Sequence, residues 1–269
     1  MDLHLADRVA LVTGSSRGTG AGIARVLARE GAHVVVSGAD EIACERIAAQ
    51  IKKDGGKVSI APGDVSNADG AEAVIASLGR LEVDVLVNNY GTAERGFWST
   101  ATDADWLSIY EKNVVSGVRL VRALVPGMKA RGHGRIIFVG TIGSTRPNAR
   151  MPHYYAAKGA LPVMTVGLAK ELAGTGITVN LVSPGLIATS EVIDNARRRG
   201  TKENWPEAAD PDPDALLRRL AGLDMPNPVG RIATTEEVGE LVAFLAGSRA
   251  AFINGQNIRI DGGAVDVTV

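Results

Sequence analysis

The chain has 269 residues, of which 45% are hydrophobic, and its 29 basic residues nearly balance 30 acidic ones. This balance offers no basic surface for nucleic acid or an anionic membrane, so we expect a small-molecule partner. Cys44 is the only cysteine and the four histidines are scattered, which argues against a disulfide or a metal cluster and favours a cytoplasmic location. No apolar run approaches the ~20 residues that span a bilayer.

Short β-branched runs alternate with longer Ala-rich helical stretches along the chain. Near-continuous apolar strands of this kind are covered on both faces, which is typical of a parallel sheet. The order predicts an α/β fold, a doubly wound (Rossmann) and mostly parallel seven-stranded sheet with helices on both faces, in a single domain over residues 1–269. The predicted strands are VALVT (9–13), HVVVS (33–37), KVSIA (57–61), DVLVN (84–88), RIIFVG (135–140), ITVNLV (177–182) and NIRID (257–261).

Two helix starts have the sequence of a capping box, in which a hydroxyl and a carboxylate three residues on satisfy free amide protons. Ser66 with Asp69 forms one such pair, and Thr234 with Glu237 forms the other. We therefore expect helices to begin at both places.

A glycine-rich turn joins the first predicted strand to the first predicted helix. Glycines let the backbone approach a pyrophosphate closely, and the helix N-terminus supplies free amides and a positive dipole end. This position in the chain is the one that a dinucleotide-binding turn requires. The residues of the turn that we expect to contact a dinucleotide are Gly14, Ser16, Arg17, Gly18, Thr19 and Gly20.

The T-G-x-x-x-G-x-G spacing of this turn resembles that of the short-chain dehydrogenase/reductase family, and six further matches follow in order. The likeness covers about residues 6 to 264, weakens through 190–228, and extends to 3-oxoacyl reductase-like members of the family. The further matches are Asp64-Val65, Asn88-Asn89-Tyr90-Gly91, Asn113, Tyr154 with Lys158, Ser183-Pro184-Gly185, and Asn254-Gly255-Gln256 through Asp261-Gly262-Gly263.

The resemblance implies an NAD(P)-dependent oxidoreductase that interconverts a ketone and a secondary alcohol and that assembles as a homotetramer. A 3-oxoacyl thioester is one ketone substrate that the resemblance suggests. The resemblance also implies which residues hold the cofactor beyond the glycine turn. These are Gly38, Asp64, Val65, Asn89, Gly91, Tyr154, Lys158, Pro184, Gly185, Ile187 and Thr189.

Carbonyl reduction needs a hydride donor and a proton donor. A phenol with a pKa near ~10 needs a nearby cation to lower that pKa, and a lysine one helical turn away can do this. Tyr154 and Tyr155 lie four and three residues before Lys158, so helical spacing alone does not separate them. The family pattern Y-x-x-x-K selects Tyr154.

The family usually has a serine thirteen residues before this tyrosine, and Thr141 stands at that place. Threonine has the same hydroxyl, but its extra methyl narrows the pocket. Ser144 is the competing hydroxyl, and the register of Gly134-Arg135-Ile136 favours Thr141.

Asn113 lies on a helix predicted to start near Asp103. The resemblance implies that it holds a water linking Lys158 to solvent, and the alternative is a buried amide that joins two helices.

Two departures from the family pattern stand close to these residues. Tyr90 replaces a small residue, where it crowds the cofactor or contacts substrate, and Pro162 is expected to kink the helix one turn after Lys158. With Thr141, they leave open a catalytically impaired nucleotide-sensing or scaffold protein of the same fold.

The choice between NAD and NADP depends on the end of the second strand. The family's acid position is Gly38, so the carboxylate that holds the ribose hydroxyls of NAD is absent, and Arg17 can pair with a 2′-phosphate. Asp40 lies about as far beyond the glycine turn as an acidic residue that binds the ribose hydroxyls, but it is more readily interpreted as a helix N-cap. NADP is favoured and NAD stays possible.

Residues 190–228 are polar and Pro-rich, and we expect them to form a substrate-covering lid. Trp205 and Met225 are candidates for an apolar substrate pocket. Arg197–Arg199 are interpreted as a solvated helix face rather than an anion site, for which Arg146 and Arg150 are better candidates. The sequence does not identify the substrate.

Overall fold

The computed structural model describes residues 1–266, so the last three residues of the predicted domain lie outside the described part. Seven strands and nine α-helices alternate along these residues. The strands are β1 (Val9–Val12), β2 (His33–Val36), β3 (Lys57–Ile60), β4 (Val85–Asn88), β5 (Gly134–Val139), β6 (Ile177–Pro184) and β7 (Asn257–Ile260). The helices are α1 (Gly18–Arg29), α2 (Glu41–Lys53), α3 (Ala68–Ser77), α4 (Asp103–Tyr110), α5 (Ser116–Arg131), α6 (Pro152–Glu171), α7 (Ser190–Lys202), α8 (Asp214–Asp224) and α9 (Thr235–Ala246).

All seven strands pair in parallel in one sheet, in the order β3-β2-β1-β4-β5-β6-β7. The predicted doubly wound fold is confirmed, and each predicted strand overlaps an observed one. The winding direction reverses between β1 and β4. In open α/β sheets, ligands bind beyond the carboxyl ends of the strands at such a reversal.

The strand side chains alternate between two hydrophobic cores, one on each face of the sheet. In β1, Ala10 and Val12 pack into the core beneath α1, α2 and α9, whereas Leu11 packs into the core beneath α3, α5 and α6. Strand β5 follows the same alternation, with Ile137 on the first side and Phe138 on the second. Burial on both faces explains why these strands are apolar throughout.

The helix caps follow the sequence with one correction. Thr234 and Glu237 form the predicted capping box at the start of α9. The predicted box at Ser66 and Asp69 is wrong, because α3 starts one residue later and Asn67 accepts a hydrogen bond from the amide of Gly70. Asparagine is as good an N-cap as serine, so the shift costs the helix little.

Helix α6 runs without interruption from Pro152 to Glu171, with Pro162 inside it. The proline expected to kink the helix therefore does not interrupt it. Proline removes the hydrogen bond to the carbonyl four residues earlier, which here belongs to Lys158. Helix α6 keeps its length, and the carbonyl of Lys158 has no amide four residues later from which to accept a hydrogen bond.

Residues 190–228 contain two helices, α7 and α8, joined by a 3₁₀ turn at Pro206–Ala209. A small hydrophobic cluster of their own holds them together, around Trp205, Leu216 and Leu220. The guanidinium groups of Arg199 and Arg219 lie over the Trp205 ring, 5.0 and 4.8 Å from its centroid. Within residues 1–266, no helix combines the length and hydropathy that a membrane crossing needs.

Candidate active site

A cavity of about 500 Å³ opens beyond the carboxyl ends of the central strands. Its walls come from the turn after β1, the ends of β4, β5 and β6, the start of α6, and one face of α7. The lining residues are Gly14, Arg17, Gly18, Thr19, Gly20, Asn89, Gly91, Thr92, Ala93, Val139, Gly140, Thr141, Tyr154, Lys158, Pro184, Gly185, Ile187, Thr189, Ser190, Glu191, Asp194 and Arg198.

The glycine turn is shaped for close approach of a ligand to the backbone. Gly14 has a φ of 61°, a conformation that side chains rarely allow. A Cβ on Gly20 would lie 2.3 Å from the carbonyl oxygen of Gly14, so only glycine fits there. Helix α1 starts at Gly18, and its N-cap, Arg17, gives no side-chain capping bond. The first-turn amides are thus free for an anion such as a pyrophosphate.

Thr13 and Asn89 tie the glycine turn to the end of β4. The Thr13 hydroxyl accepts hydrogen bonds from the amides of Asn89, at 3.1 Å, and Tyr90, at 3.0 Å. The Asn89 side chain donates back to the carbonyls of Thr13, at 2.9 Å, and Gly14, at 3.2 Å. Asn89 thus fixes the turn while it also lines the cavity.

Lys158 is buried, with 5% of its surface exposed, and its Nζ donates a 2.9 Å hydrogen bond to the carbonyl of Val139 at the end of β5. Burial lowers the pKa of Lys158 to about 8, because a buried ammonium loses its hydration.

Tyr154 stands one helical turn before Lys158 and lines the same cavity. Burial, with a smaller contribution from neighbouring Tyr155, raises the pKa of Tyr154 to about 12. This direction is opposite to the one expected from the sequence. The reason is that packing around the hydroxyl outweighs the cation, while Lys158 directs its own proton to a backbone carbonyl. The phenol is therefore held in its protonated form.

The two hydroxyls considered for the missing serine have different surroundings. Thr141 lines the cavity, and its Oγ1 accepts a 3.1 Å hydrogen bond from the amide of Gly143, which leaves its proton available to a ligand. Ser144 donates its own proton to the carbonyl of Thr141 at 2.8 Å and is not among the cavity-lining residues. Thr141 is the better placed of the two.

Asn113 lies in a π-helical turn, Glu111–Val115, between α4 and α5. Its Nδ2 donates to the carbonyls of Thr92, at 2.9 Å, and Ile109, at 3.0 Å, and thereby holds the loop after β4. Its Oδ1 is buried without a partner among the described residues. A Cβ on Gly91 would lie 2.4 Å from this oxygen and 3.1 Å from Lys158 Nζ, so both atoms border one small space.

A second groove, of about 280 Å³, continues from the cavity along the far side of the glycine turn. Arg17 lines both spaces, and Ser16 and Arg46 line the groove. A Cβ on Gly38 would lie 2.8 Å from Ser16 Oγ, so a side chain at this strand end, such as the ribose-binding carboxylate, would have to displace Ser16. Asp40 caps α2 by accepting from the amide of Ala43 at 3.0 Å, in agreement with the N-cap interpretation.

Several residues predicted to meet substrate lie elsewhere. Tyr90 packs against the core and lines a separate small cavity with Val65, so it lies outside the lining of the main cavity. Trp205 is also outside that lining, since it is 6% exposed and lies between two arginines inside its own cluster. Met225 packs behind Gly185, and Arg146 donates to the carbonyl of Ala264.

Three of the residues implied to hold cofactor also lie outside the main cavity lining. Gly38 stands at the end of β2 beside Ser16, and Val65 lines the small cavity beneath Tyr90. Asp64 accepts a 3.0 Å hydrogen bond from the amide of Ser66 in the turn before α3.

The sequence analysis missed two acidic residues of the cavity, Glu191 and Asp194, on helix α7. They lie three residues apart, and Arg198 follows four residues later, so all three share one side of the helix. The sequence indicates this arrangement, because the charged positions fall on the helix side opposite the apolar positions Val192 and Ala196.

A family model described as short chain dehydrogenase matches residues 8–199, which include the glycine turn, Asn113, Tyr154 and Lys158. The chain belongs to the short-chain dehydrogenase/reductase family. It is an oxidoreductase of this family, and the resemblance drawn from the sequence motifs is confirmed.

Other short-chain dehydrogenases/reductases resemble the chain over its whole length. It is 34% identical to "Uncharacterized oxidoreductase YvrD" of Bacillus subtilis (strain 168), over 98% of this chain and 99% of that protein. It is 33% identical to "3-oxoacyl-[acyl-carrier-protein] reductase FabG" of Escherichia coli (strain K12), over 97% of this chain and 98% of that protein. The crystal structure of L-sorbose reductase from Gluconobacter frateurii, complexed with NADPH and L-sorbose, superposes with a TM-score of 0.92 and 34% identity, covering 100% of both chains.

Proposed function

We propose that the protein interconverts a small ketone and the corresponding secondary alcohol, with NADP(H) as cofactor and Tyr154 as the proton donor and acceptor. One observation carries this proposal. Thr141, Tyr154 and Lys158, from β5 and α6, line the same cavity as the glycine turn after β1. A carbonyl group and a dinucleotide can therefore meet there.

The residues present fit a dinucleotide. The close approach of Gly20 to Gly14 leaves the backbone of the turn accessible to a ligand, and the free amides at the start of α1 favour the binding of a pyrophosphate. Ile187 and Thr189 line the same cavity. When bound, the reduced nicotinamide supplies the hydride that reduces the carbonyl carbon and is itself oxidised. The protein must then hold the carbonyl oxygen and protonate it.

Thr141 and Tyr154 divide this task. The Thr141 hydroxyl, already fixed by the Gly143 amide, donates a hydrogen bond to the carbonyl oxygen. The Tyr154 hydroxyl gives its proton to the same oxygen as the hydride arrives, which yields the alcohol and leaves a phenolate. A pKa of about 12 keeps Tyr154 protonated for this step in the reducing direction.

Lys158 and Asn113 support proton return to Tyr154. A water in the small space beside Gly91 would satisfy the unpartnered Asn113 Oδ1 and lie near Lys158 Nζ. With its pKa lowered to about 8, Lys158 can release and regain a proton near neutral pH. The phenolate of Tyr154 can thus be reprotonated from solvent through these groups.

NADP is proposed over NAD for two reasons. Arg17 lies between the cavity and the outer groove, where a 2′-phosphate can pair with it, and Gly38 leaves no carboxylate to bind a free ribose. The similar L-sorbose reductase was solved with NADPH, and a 3-oxoacyl reductase from Agrobacterium tumefaciens C58, 32% identical, with NADP bound.

The test is an assay of NADPH oxidation by a panel of ketones, with Tyr154→Phe and Tyr155→Phe as a matched pair. Loss of a positioned acid lowers turnover by roughly 10²–10⁴-fold, so Tyr154→Phe should be nearly inactive. Tyr155→Phe loses only a 2.8 Å hydrogen bond from Asn148 and should stay active.

One observation favours a second candidate, a nucleotide-sensing or scaffold protein with impaired turnover. The Nζ of Lys158 donates its hydrogen bond to the backbone carbonyl of Val139 rather than to the Tyr154 hydroxyl. Tight NADPH binding without oxidation by any ketone would favour this candidate over the oxidoreductase reaction.

Three further points are part of the proposal. Residues 190–228 cover the substrate, since one face of α7 lines the cavity. The protein works in the cytoplasm on a small-molecule substrate.

The proposed assembly is a homotetramer formed through α4, α5 and α6, whose exposed apolar side chains support such contacts. These side chains include Leu107, Tyr110, Val118, Val163 and Val166. Light scattering on the purified protein tests the assembly.

A further inference from the structure

Helix α7 presents two chemically different faces. Val192, Ile193 and Ala196 pack into the small cluster around Trp205. Glu191, Asp194 and Arg198 lie on the other side and line the cavity that holds Thr141 and Tyr154. The wall of the proposed active site opposite the reacting groups is therefore charged.

The two carboxylates on this wall differ from the other acids of residues 190–228. Glu203 and Asp224 both bind Arg199, and Glu207 binds Arg219. The carboxylates of Glu191 and Asp194 form no hydrogen bond or ion pair with any residue of the described part of the chain. Carboxylates that face a cavity unpaired are free to accept hydrogen bonds from a ligand.

The structure also separates the three consecutive arginines of α7. Arg197 donates to the carbonyls of Asp210 and Pro211, and Arg199 joins Glu203 to Asp224 over the Trp205 ring. Arg198 alone of the three lines the cavity, where its only described partner is Asn195 on its own helix, at 2.6 Å. The expectation of a solvated helix face agrees with Arg198, which is exposed, whereas Arg197 and Arg199 also hold other parts of residues 190–228.

We propose that Glu191, Asp194 and Arg198 select an uncharged, polyhydroxylated ketone as the substrate, which rests on the ketone reduction proposed above. Each carboxylate offers acceptors for neighbouring hydroxyls, and Arg198 offers donors to a hydroxyl oxygen. Such groups recognise a substrate by hydrogen bonds that an analogue without hydroxyls leaves unmade.

Charge and polarity argue against other ketones. Two carboxylates against one guanidinium give this wall a net negative charge, which disfavours a keto acid or another anionic substrate. An acyl chain packed against the same wall would remove water from three charged groups without offering them hydrogen bonds, which is unfavourable in binding free energy. A ketohexose supplies several hydroxyls and no charge.

The experiment compares kcat/KM for a ketohexose (L-sorbose or D-fructose), cyclohexanone and a short acetoacetyl thioester, each with NADPH. We expect the wild type to prefer the ketohexose. The double variant Glu191→Gln/Asp194→Asn should lower the ratio of ketohexose to cyclohexanone kcat/KM by at least tenfold, since hydrogen bonds to charged acceptors are stronger than those to neutral ones. Glu203→Gln changes an acid at the opposite end of α7, where it pairs with Arg199, and is the control that should leave the ratio unchanged.

A second measurement does not depend on turnover. Calorimetry with a hexitol, the alcohol product, on the NADP-loaded protein should give a Kd that the double variant raises at least tenfold. A wild-type preference for the thioester or for cyclohexanone, or an unchanged ratio in the double variant, overturns the inference. If cyclohexanone is reduced in a Tyr154-dependent way but the ketohexose is not, only this inference fails. If no ketone is reduced, the proposed function fails and this inference fails with it.

Discussion

Asn113 and Lys158 face each other across Gly91. A methyl group on Gly91 would lie 2.4 Å from Asn113 Oδ1 and 3.1 Å from Lys158 Nζ, so the absence of a side chain there creates the space between an unpartnered acceptor and a buried amine. The space joins the π-helical turn of Asn113 to the active-site helix α6.

Gly91→Ala is expected to fill this space and to lower kcat by roughly 10²-fold, because small displacements of catalytic groups have effects of that size. Steady-state kinetics measures the loss, and circular dichroism verifies the fold. Gly159→Ala is a matched control on α6, since its added methyl meets nothing within 4 Å. Equal kcat values in the two variants would contradict a role for the space beside Gly91.

Thr141→Val removes the hydroxyl and keeps the shape of the side chain, so we expect kcat to fall roughly 10²–10³-fold, as for other groups that stabilise a developing oxyanion. Thr141→Ser restores the hydroxyl and should return activity close to the wild-type value. Ser144→Ala is the control, because the Ser144 hydroxyl is directed at the Thr141 carbonyl. Full activity of Thr141→Val would remove this hydroxyl from the mechanism.

Arg17→Ala should change the choice of cofactor. The loss of a charged hydrogen bond to the 2′-phosphate is expected to lower kcat/KM for NADPH by about 10–100-fold and to leave the value for NADH nearly unchanged. Arg80→Ala changes an exposed arginine that lines neither the cavity nor the outer groove. An equal loss of kcat/KM with both cofactors would show that Arg17 does not bind the 2′-phosphate.

Acid stability should depend on Glu237. The hydrogen bond from Arg231 lowers the pKa of this carboxyl to about 2, so its contribution is present above the usual pKa and is lost as pH falls from about 4.5 toward 2. Both side chains are more than a third exposed, so water screens the pair and the contribution is about 1 kcal/mol or less.

Glu237→Gln is therefore expected to be less stable than the wild type at pH 7 and equally stable near pH 2. Urea unfolding at both pH values measures the difference. Glu45→Gln, on the exposed face of α2, is the control that removes a carboxylate without an ion pair in the described residues. A constant gap between wild type and Glu237→Gln at both pH values would refute this account.

The sheet was largely predictable from the sequence, because its five inner strands are buried on two faces and read as apolar runs, whereas the edge strands β3 and β7 are only partly buried. Strand β4 illustrates this point, with Val85 and Leu86 directed to opposite cores. The Thr234 capping box was equally clear, since its signal is local. Asn67 was missed because two adjacent residues can each cap a helix, and packing of α3 chooses between them.

The proposed site was harder to predict where distant groups compete. The spacing of Tyr154 and Lys158 could not show that the lysine would donate to Val139, a residue nineteen positions away. It also could not show that packing around the phenol outweighs the nearby cation in setting its pKa. The packing of Trp205 in a separate cluster could not be predicted, because an aromatic residue in a polar segment can pack in a substrate pocket or in a local core, and the sequence does not distinguish the two.

The small cluster around Trp205 gives helices α7 and α8 a core that is separate from the two cores of the sheet. Substitutions on the cavity side of α7 therefore need not disturb Thr141, Tyr154 or Lys158, which β5 and α6 hold in place. Under the proposals made above, substrate choice and bond chemistry depend on separate parts of the chain. Exchange of residues 190–228 as a unit is then expected to change specificity and to leave the proposed reaction in place.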